Sequence, residues 1–130
     1  DHGQIDTPLN PHYELRRHPE LLADLVMAPS GENRLAYFYL RPGREDHARA
    51  YLDQTWPGKF RVSPARDVLQ AGLFGSGPVY SRVPERLGDW VVFPAGNAYF
   101  WWADRENMML GRHGGLSPQE MLVPFWAMEI

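Results

Sequence analysis

The chain of 130 residues contains no cysteine, so disulfides and thiolate metal sites are excluded, and any bound metal must be held by His, Asp or Glu. The same absence suits a reducing compartment such as the cytosol. There is no apolar run near the roughly 20 residues of a membrane-spanning helix. The longest, such as residues 35–40, are strand-sized. There is no excess of positive charge either. A net charge of -3 gives no basic field to attract nucleic acid or an anionic membrane surface, and neither is expected as a partner. Fixed-period repeats and low-complexity tracts are also missing.

What is present is an ordinary globular balance, 44% hydrophobic and 22% charged, which argues against disorder and allows one domain with a real core. Glycine and proline contribute 12 residues each, so much of the chain must be turns and short elements. The chain opens on Asp1-His2-Gly3 with no initiator methionine, which suggests a fragment or a processed product.

The spacing predicts the order β-α-β-α-β-β between irregular ends. Residues 1–18 read as loop, and Pro19 opens a short helix carrying Leu21, Leu22, Leu25 and Val26 on one face. Residues 34–40 are aromatic-rich and bounded by turn residues, as a strand is. Residues 44–55 follow as a helix with Ala48, Tyr51 and Leu52 in its apolar stripe, and residues 60–62 as a short strand. Ser63 and Pro64 read as N-cap and first helical residue, with Gly72 closing that helix. Residues 75–87 read as loop, 89–93 and 98–102 as a hairpin around Pro94-Ala95-Gly96-Asn97, and 103–116 as loop. Ser117-Pro118-Gln119-Glu120 has the form of a capping box, and Pro124 argues for extended chain beyond it. The expected class is α+β: a small mixed sheet with helices on one face, a ferredoxin-like arrangement being the nearest named one, with residues 19–102 as its compact unit.

Two short segments could carry chemistry. In Asp1-His2-Gly3 a carboxylate adjoins an imidazole, and a following glycine lets the backbone turn so that both can face one cation. Read alone, such a pair is as a rule a solvated chain end. In Gly111-Arg112-His113-Gly114-Gly115, glycines remove bulk around His113 and let the backbone approach a ligand. The plain alternative is a flexible loop before a capped helix. His12, His18 and His47 read as surface histidines, and Arg16, Arg17, Arg41 and Arg44 as solvated charge. Trp90, Phe100, Trp101, Trp102 and Trp126 could stack a base, although strand alternation would send about half of them into the core.

Taken together, Asp1-His2-Gly3 and the run from Gly111 through Pro124 resemble the nucleotide pyrophosphatase/phosphodiesterase branch of the alkaline phosphatase superfamily. Gly72-Leu73-Phe74-Gly75 and Arg86-Leu87-Gly88-Asp89-Trp90-Val91-Val92 add to the likeness, which spans essentially the whole chain. The resemblance implies two adjacent zinc ions at the edge of a large α/β sheet. It matches Asp1 and His2 to the ligands of one zinc and His113 to a ligand of the other. It implies metal-activated attack on phosphorus by a threonine or serine, followed by hydrolysis of a covalent intermediate, on a nucleotide or other phosphodiester. Paired metals suit this chemistry because they stabilise both the attacking and the leaving oxygen. The family's nucleophile and its other ligands lie upstream of the Asp-His pair and match nothing here. The expected whole is therefore the C-terminal part of a larger catalytic domain, its partner the N-terminal remainder, with no catalysis by this chain alone. The PglZ-like domains, and the phosphatases and phosphomutases of the superfamily, are alternatives of the same chemistry. A noncatalytic α+β interaction module is the alternative of another class.

Overall fold

The computed structural model describes residues 2–129. It is an α+β fold with two antiparallel sheets. The larger sheet has four strands: β2 (Ser30–Glu32), β3 (Leu35–Phe38), β4 (Phe60–Pro64) and β5 (Trp90–Pro94), in the spatial order β2-β3-β5-β4. β1 (Ile5–Asp6) and β6 (Gly111–Arg112) form a separate two-stranded pair. Five short helices accompany them: α1 (Pro19–Asp24), α2 (Glu45–Thr55), α3 (Ala65–Gln70), α4 (Val83–Leu87) and α5 (Pro118–Met121). Two 3₁₀ turns, Pro11–Tyr13 and Leu15–Arg17, precede α1.

The strand at 35–38 and the helix at 45–55 form where the pattern places them. In α2, Ala48 and Leu52 are buried one turn apart, and Glu45 and Asp46 sit in the first turn, where acidic side chains complement the helix dipole. β5 is buried from Trp90 to Phe93 because it is central, with β3 on one side, β4 on the other, and helices over both faces. On one face Phe38, Val92 and Phe60 meet Leu21 and Leu25 near α1 and Ala48 and Leu52 of α2. On the other, Val91 and Phe93 meet Ala65 and Val68 of α3 and Leu87 of α4.

Several expectations are corrected. The sheet is antiparallel at every pairing, not mixed, and its strand order is not the ferredoxin-like one. Because β5 separates them, β3 and β4 are parallel without being neighbours, and α2 makes the crossover. Helices cover both faces, not one. Residues 89–102 form no hairpin: both edges of β5 are occupied, so nothing remains for 98–102 to bond. Ala98, Tyr99, Phe100 and Trp101 are instead all buried, with the Trp101 N–H donating to Tyr13 O and the Phe100 N–H to Asn33 O. Lastly, α4 lies within an expected loop, and β4 runs through Pro64, so α3 starts at Ala65 without a Ser63 cap.

Trp56 anchors the aromatic part of the core. Its ring lies 5.4 Å from both Phe60 and Phe100, which stack on each other at 3.9 Å, and its indole N–H donates to His12 O at 3.1 Å. His18 packs 4.4 Å from Trp56 and is buried, correcting its expected surface position. Its Nε2 lies 2.9 Å from His12 O, which can only accept, so Nδ1, 2.9 Å from the Tyr51 hydroxyl, is the acceptor of a neutral ring.

Replacing Trp56 by Ala removes this anchor and is expected to cost about 3–5 kcal/mol in urea unfolding. His18 adds a pH dependence. Burial lowers its pKa; the hydrogen bond to the His12 carbonyl opposes this, and the charges of His12 and Arg17 reinforce it. The unfolded chain therefore takes up this proton first. The stability it governs is intact above about pH 6.5 and falls as the pH drops below that value. Melting temperatures between pH 8 and 5 are expected to decline, with a shallower slope in His18→Asn.

Candidate functional site

The pairing of β1 with β6 brings the segments that follow His2 and precede His113 side by side. Ile5 stands opposite Arg112, Asp6 stands opposite Gly111, and the Thr7 N–H donates to Leu110 O at 2.7 Å. Arg112 fixes this register from inside. Its guanidinium lies 3.7 Å from the Tyr99 ring, donates to Met109 O at 2.8 Å, and bonds the Thr7 hydroxyl and the Asn107 amide oxygen. Asn107 in turn donates to the Tyr99 hydroxyl at 3.0 Å. Burial lowers the Arg112 pKa; neighbouring Tyr99 works against that and Arg34 with it.

A second anchor holds the segment after His113. Glu120 is buried and accepts a bidentate pair from Arg34, Nε to Oε1 at 2.6 Å and Nη2 to Oε2 at 2.8 Å. Gly115 N–H and the Ser117 hydroxyl complete its shell at 2.9 and 2.7 Å, and Arg34 also donates to Ala98 O at 2.6 Å. The expected capping box is thus reorganised. Ser117 stands at the N-cap position, but its hydroxyl meets Glu120, not a backbone N–H, because the guanidinium draws that carboxylate inward. The chain beyond α5 is extended through Pro124, as expected.

Two glycines make the packing possible. A Cβ on Gly3 would lie 1.8 Å from Gln119 O, and one on Gly115 would lie 2.6 Å from Glu120 Oε2. Gly3 can therefore rest on α5, its N–H directed to Glu120 O at 3.4 Å. The result is that His2 and His113, 111 positions apart, stack with ring centroids 3.9 Å apart and planes 28° apart. His2 is exposed and His113 half-buried.

Of the three expected ligands, the structure brings His2 and His113 together, and Asp1 lies outside the described residues. Among the described residues, no group of three or more His, Asp or Glu side chains is placed to hold a metal ion. His47 is half-exposed, as a surface histidine is, but it is engaged. Its Nδ1 and the Arg44 guanidinium both bond the fully buried Asp24 at 2.6 Å, tying α1 to α2. Arg16 and Arg17 hold Glu14. Trp90 and Trp101 are core residues, whereas Trp126 is 91% exposed. The sequence reading missed Arg34 and the internal role of Arg112. Arginine within polar, glycine-rich sequence reads as solvated, and its buried partners lie up to 105 positions away.

Burial alone would raise the Glu120 pKa, but the bonds from Arg34, Ser117 and Gly115 outweigh it and hold it down to about 2. The folded chain therefore retains its charge after the unfolded chain has lost it. This contribution is complete above about pH 4.5 and is lost as the pH falls towards 2. Glu120→Ala, which strands a buried guanidinium, is expected to cost about 3–5 kcal/mol by denaturant titration and to flatten the acid limb.

Compared with known proteins, the chain matches no protein-family model, no curated protein and no solved structure.

Proposed function

We propose that this chain forms the C-terminal part of a two-zinc phosphodiesterase or nucleotide pyrophosphatase site, with His2 and His113 each serving one ion and Asp1 joining His2. The observation that carries the reading is the histidine stack. Two segments singled out for one centre, separated by most of the chain, lie in contact. Rings 3.9 Å apart suit one ligand for each of two ions about 3.5–4 Å apart. Gly3 and Gly115 support it as well, since each permits an approach that any side chain would block.

In this reading, paired zinc ions supply Lewis acidity towards a phosphodiester. The residues of this chain bind and orient. Arg34 and Glu120 hold the His113 segment, and the β1–β6 pair holds the His2 segment. A tetrahedral zinc takes three or four protein ligands, so three residues cannot complete two ions, and the nucleophile too is supplied from outside these residues. Apolar surface beside α5 supports such a contact. Phe125, Trp126 and Met128 are 89%, 91% and 85% exposed, a patch that favours burial against further polypeptide.

Calorimetry on this chain is expected to show no tight zinc binding, and an aryl phosphodiester to remain unhydrolysed. Tight stoichiometric zinc with turnover would show the site to be complete here. In a protein containing the whole catalytic domain, His113→Ala is expected to remove about one zinc and most of the turnover. Unchanged zinc content and activity would end the proposal.

A further inference from the structure

A cavity of about 270 Å³ lies beside α3, on the sheet face that carries this helix. Its floor is Val68 and Phe93, both buried, and its walls are Leu73 and Leu116. Two polar side chains enter it from β4. Arg61 and Ser63 are two residues apart on one strand, so they share this face, and Arg61 stands directly opposite Phe93 in the register. Neither side chain has a hydrogen-bond or ion-pair partner among the described residues. The one carboxylate in the lining, Asp67, is 3.2 Å from Arg66. The cavity therefore joins an apolar, aromatic floor to an unneutralised guanidinium and an unused hydroxyl. An apolar pocket with a few converging polar groups is the usual form of a small-molecule site.

We infer that this cavity binds a small aromatic anion: a single planar ring against Phe93, Leu73 and Leu116, with its phosphate or carboxylate on Arg61 and Ser63. A guanidinium forks onto two oxygens of either group, and a hydroxyl supplies a further donor. The volume fits one ring and its anionic substituent and is too small for most extended ligands. The assignment does not rest on the zinc reading, since it uses no residue of the histidine pair.

The test is a titration of the ¹⁵N-labelled chain with phenyl phosphate, inorganic phosphate and benzyl alcohol, followed by amide shifts. Phenyl phosphate is expected to move Arg61, Ser63, Leu73 and Leu116 saturably. Each half-ligand is expected to bind at least tenfold more weakly. Arg61 is exposed, so Arg61→Gln is expected to keep the wild-type spectrum while weakening phenyl phosphate about tenfold; Ser63→Ala, a second variant, is expected to weaken it severalfold. Absent shifts, shifts centred on His2 and His113, or unchanged affinity in Arg61→Gln would overturn the assignment. Equal binding of inorganic phosphate would overturn the aromatic part, and equal binding of benzyl alcohol the anionic part.

Discussion

The buried ion pair between Arg34 and Glu120 is the constraint on which the rest of the candidate site depends. Each charge would be expensive to bury alone, and each is fully engaged: Arg34 by the carboxylate and Ala98 O, Glu120 by Arg34, Gly115 and Ser117. It fastens the start of β3 to the last helix across 86 positions. The glycine-rich turn between His113 and Ser117 is thereby drawn onto the sheet, and Gly3 finds a flat surface on α5. The histidine contact follows from these two placements.

Arg112 does for the other half of the site what Arg34 does for this one. It lies between Tyr99, Thr7 and Asn107, and so connects the β1–β6 pair to the buried segment 98–101. Both arginines occupy space that an apolar side chain could fill. What they add is direction, because a planar fork donates its hydrogen bonds only in its own plane. Two otherwise irregular chain segments thus acquire one register. The cost is the Arg112 Nε, which is buried without a hydrogen bond among the described residues.

Much of the larger sheet was legible in the sequence, and the reasons differ by element. The strand at 35–38 and the helix at 45–55 declare themselves because each has one wet face, and period 2 or period 3.6 then shows through. Residues 98–101 mislead because all four are buried. A run without a wet face has no period, and its aromatics suggest a strand that the sheet has no edge to accept. α4 was hidden among glycine, serine and proline, and β6 is only two residues long. The histidine pair was legible only as two separate motifs. Their contact depends on charged residues whose burial no local pattern reveals, and the same holds for Asp24, which looks like an ordinary polar helix residue.

The position of β5 has a consequence for how the molecule is made. It is the central strand of the larger sheet, yet it leaves the ribosome after both of its neighbours. Until residues 90–94 emerge, β3 and β4 each present an open edge, and the crossover through α2 spans a gap the width of one strand. The β2–β3 hairpin can form locally, but the sheet cannot extend from it to β4 until β5 arrives. It closes by insertion, with 23 residues between Phe38 and Val62 and 27 between Val62 and Trp90 to be ordered around the newcomer. Such non-local closure slows folding and leaves aggregation-prone edges exposed while it waits. Nascent chains stalled before Trp90 are accordingly the species most in need of a chaperone.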